Sequence, residues 1–244
     1  MRTEGINTSH ADELFVSAGG KSSRIRPYLE VETEGRPKHL LPIPGGDFLL
    51  GAIVKNGESF FDRIIISTSP ETDEHIRPAF LDKPNVIPEI DQFRTGPLGP
   101  MLRALSERQN TTYGCAGDYY CDFSWADFKS FHDQQRKPVS ILLAKSSPTT
   151  DGATFKLESG LVTGWQRVNA TTAEDRINIG AYIVEYDKDT KPFFDAMTYH
   201  KEDPFFDFLI ARGLVAGFDP QVLGFNINTF ETYKAACDNI STKL

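Results

Sequence analysis

The first 137 residues alternate short apolar, β-branched runs with segments of helical spacing, and that alternation leaves few ways to fold. "ELFVSAG" (13–19), "RIIISTS" (63–69), "NVIPEI" (85–90) and "YGCAGDYY" (113–120) read as strands. Between them, "DFLLGAIVKNGESF" (47–60), "SPETDEHIRPAFLD" (69–82) and "LGPMLRALSERQN" (98–110) have the apolar spacing or start signals of helices, and "SWADFKSFHDQQRK" (124–137) follows. Strands alternating with helices imply βαβ units, hence a parallel sheet with helices on both faces. Ligands of such open sheets gather at the carboxyl ends of the strands. The loop 17–27 and Asp118 both fall at such ends.

After Lys137 the pattern becomes richer in strands. "SILLAKSS", "ATFKLES", "LVTGWQRV" and "INIGAYIVEYD" are strand-like, with Asp151-Gly152 and Ser159-Gly160 as turns. "KPFFDAMTYH" and "PFFDFLIARG" have helical spacing, and their phenylalanines are expected in the core. The chain then closes with a strand, a turn and a helix starting near Thr229. With no repeat and no linker, one domain with two lobes is expected: an α/β fold with a Rossmann-like, mostly parallel mixed sheet and a smaller β-rich lobe.

The stretch "SAGGKSSRIRP" (17–27) gathers flexible backbone, hydroxyls and guanidinium groups directly after a strand, which suggests phosphate binding. It lacks the G-x-G-x-x-G of a dinucleotide site. It also lacks the first glycine of a P-loop, where Phe15 stands, and Pro27 comes too early for the helix a P-loop needs. Read together with "PKHLLPIPG" (37–45), it resembles the signature of the sugar-phosphate nucleotidyltransferases, G-G-x-G-[TS]-R-L-x-P followed by P-K-x-[LM]-[LV]-P-[IV]. "GPLGPMLRAL", "AGDYYCDF", "DGATF", "LVTGWQRV", "INIGAYIVE" and "GFNINTFETYKAA" resemble further elements of that family in the same order, the last one its D-x-G-T-P-E-x-Y.

The resemblance implies transfer of a nucleotidyl group from an NTP to a phosphorylated sugar or related alcohol, with pyrophosphate leaving. It implies nucleotide contacts at Ala18, Gly19, Gly20, Lys21, Ser22, Ser23, Gln92, Gly96 and Gly117. Arg24 would hold the outer phosphates and Lys38 would sit near the α-phosphate. Asp118 is the expected Mg²⁺ ligand, with Asn226 standing where the family usually has its second aspartate. The acceptor would meet Gly152, Gln166, Arg167 and Asn178, with Gln166-Arg167 replacing the family's Glu-Lys. Residues 1–137 would then be mainly the nucleotide-binding half and 138–244 mainly the acceptor-binding half. Ser22 occupies the position of the family's third glycine, so its side chain is expected to turn away from the phosphates or to contribute its hydroxyl.

Composition narrows the classes. A formal charge of −8 argues against broad nucleic-acid binding, which leaves a basic footprint. Three cysteines without C-x-x-C spacing suggest neither a disulfide framework nor a zinc site. The polar start "MRTEGINTSHADE" and the lack of any apolar run near ~18 residues make a soluble cytoplasmic protein the expectation. Two alternatives stay open: a phosphocholine-type cytidylyltransferase of the same fold, and a non-catalytic nucleotide-sugar sensor. A molybdopterin nucleotidyltransferase also opens with A-G-G-x-S-x-R, but its lysine follows the arginine much sooner than Lys38 follows Arg24.

Overall fold

Strand β1 (Ala11–Ser17) is an interior strand of the sheet and buries both of its faces. Leu14 and Val16 point to one core cluster and Phe15 to the other, the period of two that a doubly covered strand requires. The computed structural model describes residues 11–92, 98–147, 152–168, 172, 175–196 and 202–243.

After β1 come helix α1 (Arg26–Glu32), a 3-10 turn (Lys38–Leu40) and a small ribbon of β2 (Pro42–Ile43) and β3 (Asp47–Phe48). Helix α2 (Leu49–Glu58) leads to β4 (Phe61–Thr68), and α3 (Pro70–Ile76) to β5 (Val86–Ile90). Helix α4 (Gly99–Arg108) then crosses back to β6 (Thr112–Ala116). The strand read as 113–120 is divided: β6 ends at Ala116, Gly117 and Asp118 form a turn, and β7 (Tyr119–Cys121) leaves in a new direction. Helix α5 (Trp125–Gln135) precedes β8 (Val139–Ser146), the hairpin β9 (Gly152–Glu158) and β10 (Leu161–Val168), and β11 (Arg176–Val184). Helices α6 (Lys191–Ala196) and α7 (Glu202–Ile210) are followed by β12 (Val215–Phe218), β13 (Leu223–Asn226) and α8 (Phe230–Ser241).

Among the described residues, eleven strands form one sheet in the order β5-β4-β1-β6-β11-β9-β10-β12-β8-β13-β7, with β8 also pairing β11. The pairs β5–β4, β4–β1 and β1–β6 are parallel, whereas β11 runs antiparallel to β6, β8 and β9. This is the mixed, helix-flanked α/β sheet that the sequence pattern predicts. The chain moves outward from β1 through β4 to β5, then returns to the other side of β1 with β6. That reversal opens a crevice at the carboxyl ends of β1 and β6, where ligands of such sheets bind.

One face of the sheet is covered by α2, α3 and α5 through residues such as Leu50, Val54, Ile76 and Phe128. The other is covered by α4, α6 and α7, which bury Met101, Leu105, Phe193, Phe194, Phe205 and Phe206. The phenylalanines of the two late helices are therefore core, as their spacing implies. A third cluster, Ile25, Leu29, Leu41, Leu49, Phe225, Ile227 and Ala236, packs α1 and α8 together beside the crevice.

Two local readings change. Pro27 does not prevent a helix, because it lies in the first turn of α1, where its missing N–H has no intrahelical partner to lose. The closing segment holds two strands, β12 and β13, rather than one.

The start of α3 is fixed by its sequence. Ser69 Oγ accepts from the Thr72 N–H at 3.2 Å while Thr72 Oγ1 accepts from the Ser69 N–H at 2.9 Å, a reciprocal cap. Ser69→Ala removes half of that exchange, and urea unfolding should register a loss of about 1 kcal/mol.

Candidate active site

The crevice is a cleft of about 490 Å³. Its walls bring together Ser17 at the end of β1, Gly19, Gly20, Lys21 and Arg24 from the loop after it, Asp118 from the β6–β7 turn, and Asn226 from β13. Arg167 of β10 closes the far end with Tyr182 and Glu202. Residues from both halves of the chain thus meet in one site.

The loop after β1 is an open set of donors. Ala18 N–H is used, bonded to the Ser67 carbonyl at 2.7 Å. Among the described residues, the N–H groups of Gly19, Gly20, Lys21, Ser22 and Ser23 donate to no backbone carbonyl outside a helix or strand. Ser22 is left-handed, with φ +54°, the backbone state in which consecutive N–H groups form an anion-binding nest. That angle explains why a glycine suits this position: a side chain there is strained. Ser22 Oγ is itself buried without a hydrogen-bond partner. Gly19 is held tightly, since a Cβ there would lie 3.2 Å from the Ser69 nitrogen.

Asp118 is reached from three directions. Its backbone carbonyl accepts from Ile227 N–H at 2.9 Å, and Asn226 is the register partner of Tyr119, so Asn226 on β13 lies beside the turn that carries Asp118. Its carboxylate Oδ2 lies 2.7 Å from Lys38 Nζ. Lys38, only 4% exposed, also donates to Asn228 Oδ1 at 2.8 Å. Burial is the largest influence on Asp118 and opposes its ionisation, but the Lys38 ammonium, His39 and the hydrogen bonds it accepts together outweigh it and hold the carboxyl below the usual range. Gly117 lets the turn close: its N–H bonds the Ser17 carbonyl at 2.8 Å, and a Cβ would meet that oxygen at 2.8 Å.

His39 lines the cleft beside this group. Burial lowers its imidazole pKa to about 4, and Nδ1 is buried without a hydrogen-bond partner. The ring is therefore neutral near pH 7.

At the Arg167 end of the cleft, Tyr182 donates to Glu202 Oε1 at 2.7 Å and accepts from Asn178 Nδ2 at 2.6 Å. Asn178 Oδ1 accepts from Gly180 N–H at 2.8 Å, so Asn178 orients Tyr182 from behind rather than lining the cleft. Burial raises the Glu202 carboxyl above its usual value. Arg167 is paired with Asp203 and stands 3.6 Å from Glu202.

The remaining sequence expectations fall in several places. Ala18 is buried beneath the loop and Ser23 is exposed on it. Gln92 lies outside the cleft, in a neighbouring groove that shares Ser67 and Asp91 with it. Gln166 is exposed and Gly152 pairs with Val168 at the start of its hairpin; neither lines the cleft. Gly96 lies outside the described residues. His39, Asn228, Tyr182 and Glu202 were not expected. Only "PKH" placed His39 beside a suspected lysine, and no spacing marks the others.

Residues 14–121 match the family model described as MobA-like NTP transferase domain. No curated protein matches the chain in sequence. Among solved structures, HddC from Yersinia pseudotuberculosis complexed with GMP-PN is similar at 21% identity and a TM-score of 0.71, over 94% of this chain and 100% of that one. A putative glucose-1-phosphate thymidylyltransferase from Bacillus anthracis is 14% identical with a TM-score of 0.72, over 94% and 95% of the two chains. The inositol-1-phosphate CTP transferase from T. maritima is 14% identical with a TM-score of 0.68, over 95% and 97%. The likeness to nucleotidyltransferases read from the motifs is borne out by the family model over 14–121, and the fold expected with it is shared with these solved structures over nearly the whole chain. Among the described residues, no helix is long and apolar enough to cross a membrane.

The left-handed backbone at Ser22 sets a stability test. Ser22→Gly should hold or raise the unfolding free energy, by up to about 1 kcal/mol, whereas β-branched Ser22→Val should lower it by about 1–2 kcal/mol. Thermal melts that fail to separate the two variants would contradict the strain.

Proposed function

We propose that the chain is a Mg²⁺-dependent nucleotidyltransferase that moves NMP from an NTP to a sugar 1-phosphate or related phosphorylated alcohol. The observation that carries this reading is the run of N–H groups from Gly19 to Ser23, without backbone carbonyl partners, beside Lys21 and Arg24 at the carboxyl end of β1. An array of this kind suits the triphosphate, and Arg24 adds a planar fork for its outer oxygens. Ser22 or Ser23 would contribute a hydroxyl to the same anion. The names of the B. anthracis and T. maritima proteins, each a transferase for a 1-phosphate, support an acceptor of that class.

A phosphate oxygen of the acceptor attacks the α-phosphorus, the bond from that phosphorus to the bridging oxygen breaks, and pyrophosphate leaves with the electron pair. A phosphate monoester, with second pKa near ~6, is largely dianionic at neutral pH and needs no base to activate it. The protein's task is therefore alignment and charge neutralisation. Lys21 and Arg24 neutralise the outer phosphates, and Lys38 serves the reacting one.

The donors suit Mg²⁺, which takes oxygen ligands and usually only one or two carboxylates besides phosphate oxygens. Asp118 offers an ionised carboxylate and Asn226 an amide oxygen, side by side on the cleft wall. Bound there, the ion would offset the negative charge of the phosphates. At the acceptor end, Glu202 and Tyr182 supply hydrogen-bonding groups for hydroxyls, the service that exposed Gln166 does not give. Arg167 binds the acceptor phosphate by exchanging Asp203 for it. The −8 charge and the cleft's small-molecule scale fit nucleotide and sugar-phosphate partners rather than nucleic acid.

The protein incubated with each NTP, Mg²⁺ and a panel of phosphorylated sugars, cyclitols and phosphocholine should release pyrophosphate with one pairing. Asp118→Asn should cut that rate by on the order of 100-fold or more. Glu202→Gln should raise KM for the acceptor about tenfold while KM for the NTP stays near its original value. No release with any pairing, together with tight binding of an NDP-sugar, would replace the enzyme by a sensor.

A further inference from the structure

Lys38 is engaged in a way that its proposed role at the reacting phosphate does not explain. Its ammonium is buried and held by two oxygens, Asp118 Oδ2 at 2.7 Å and Asn228 Oδ1 at 2.8 Å. Asn228 is on a rigid support: its N–H bonds the Asn226 carbonyl at 2.9 Å, and the next residue, Thr229, caps α8. The D-x-G-T pattern that this segment resembles carries no side chain at the position of Asn228. The chain thus has one carboxylate where the pattern has two, and an added amide that grips a lysine.

We propose that Lys38 is the resident counter-ion of Asp118 in the nucleotide-free protein, that a divalent cation competes with it for that carboxylate, and that Asn228 is the positioning residue that retains the ammonium when the contact with Asp118 is lost. This rests on the reading of Asp118 as a metal ligand. Two cations cannot share one carboxylate oxygen without strong repulsion, because like charges at such separations in a partly buried site interact far more than in water. Lys38 therefore lowers the affinity of Asp118 for metal. Asn228 moderates the penalty, because an ammonium leaving Asp118 still has one oxygen to donate to. Held there, it stays within the cleft wall, ready for phosphate oxygens arriving with the nucleotide.

The test is Mn²⁺ binding to the full, nucleotide-free chain, read as loss of the free-ion signal in electron paramagnetic resonance. Lys38→Met should bind Mn²⁺ roughly tenfold more tightly than the original protein or better. Asn228→Leu should bind it several-fold more weakly. In the Lys38→Met background, Asn228→Leu should have no effect, because Asn228 acts only through the lysine. Lys38→Gln replaces Lys38→Met if circular dichroism shows the latter unfolded. Equal binding by the original protein and the lysine variant, including none detectable in either, overturns the competition. An equal effect of Asn228→Leu with and without Lys38 overturns the positioning role. If Asp118→Asn binds as the original protein does, the metal-ligand reading of Asp118 fails instead.

Discussion

A single ammonium joins three segments that lie far apart in the chain. Lys38 stands on the 3-10 turn after Pro37, Asp118 in the β6–β7 turn, and Asn228 between β13 and α8. Taking Asp118 away would leave the Lys38 ammonium buried without a counter-ion, at a cost of about 3–5 kcal/mol. A well-packed apolar replacement for the whole group would cost little, so stability alone does not account for its presence. Its geometric effect is clearer. With the pair intact, the turn carrying Asp118 is locked against the loop side and the closing strand, and the cleft has a fixed floor.

The rest of the site is arranged along that floor as a gradient of charge. At the loop end, Gly19, Gly20, Lys21 and Arg24 line the cleft, and the N–H groups from Gly19 to Ser23 donate to no backbone carbonyl. At the other end, Glu202 and Asp203 more than balance Arg167. In a protein with net charge −8, Lys21 and Arg24 thus stand together in one crevice. In the proposed reaction the loop end would take the triphosphate and the other end the hydroxyl-rich group. Neutral His39 lies close to the junction, where a second positive charge would compete with Lys38.

Much of the fold was legible because its signals are local. The doubly buried strands carry unbroken apolar runs, as in "RIIIS", and the caps at Ser69 and Thr229 are read from neighbouring residues. The loop after β1 was legible for the same reason, and φ +54° at Ser22 gives a physical cause for the glycine that its motif prefers. Pro27 misled because proline ends helices in their interior yet is welcome in their first turn. Asn228 and Glu202 were not legible at all. They reach the cleft only because β13 lies beside β7 and because α7 lies over the acceptor end, and no spacing in the sequence encodes either adjacency. Arg167 reaches the cleft while its neighbour Gln166 is exposed outside it, as alternation along a strand requires.

The central claim is that the loop amides after β1 are a preformed cradle for the phosphates of an NTP. Backbone ¹H–¹⁵N spectra recorded while Mg²⁺ and a non-hydrolysable NTP analogue are added test it directly. The account predicts that the largest shifts fall on Gly19, Gly20, Lys21, Ser22 and Ser23, and that inorganic triphosphate alone moves the same five resonances. Saturable binding that leaves those amides unmoved while others shift would contradict it.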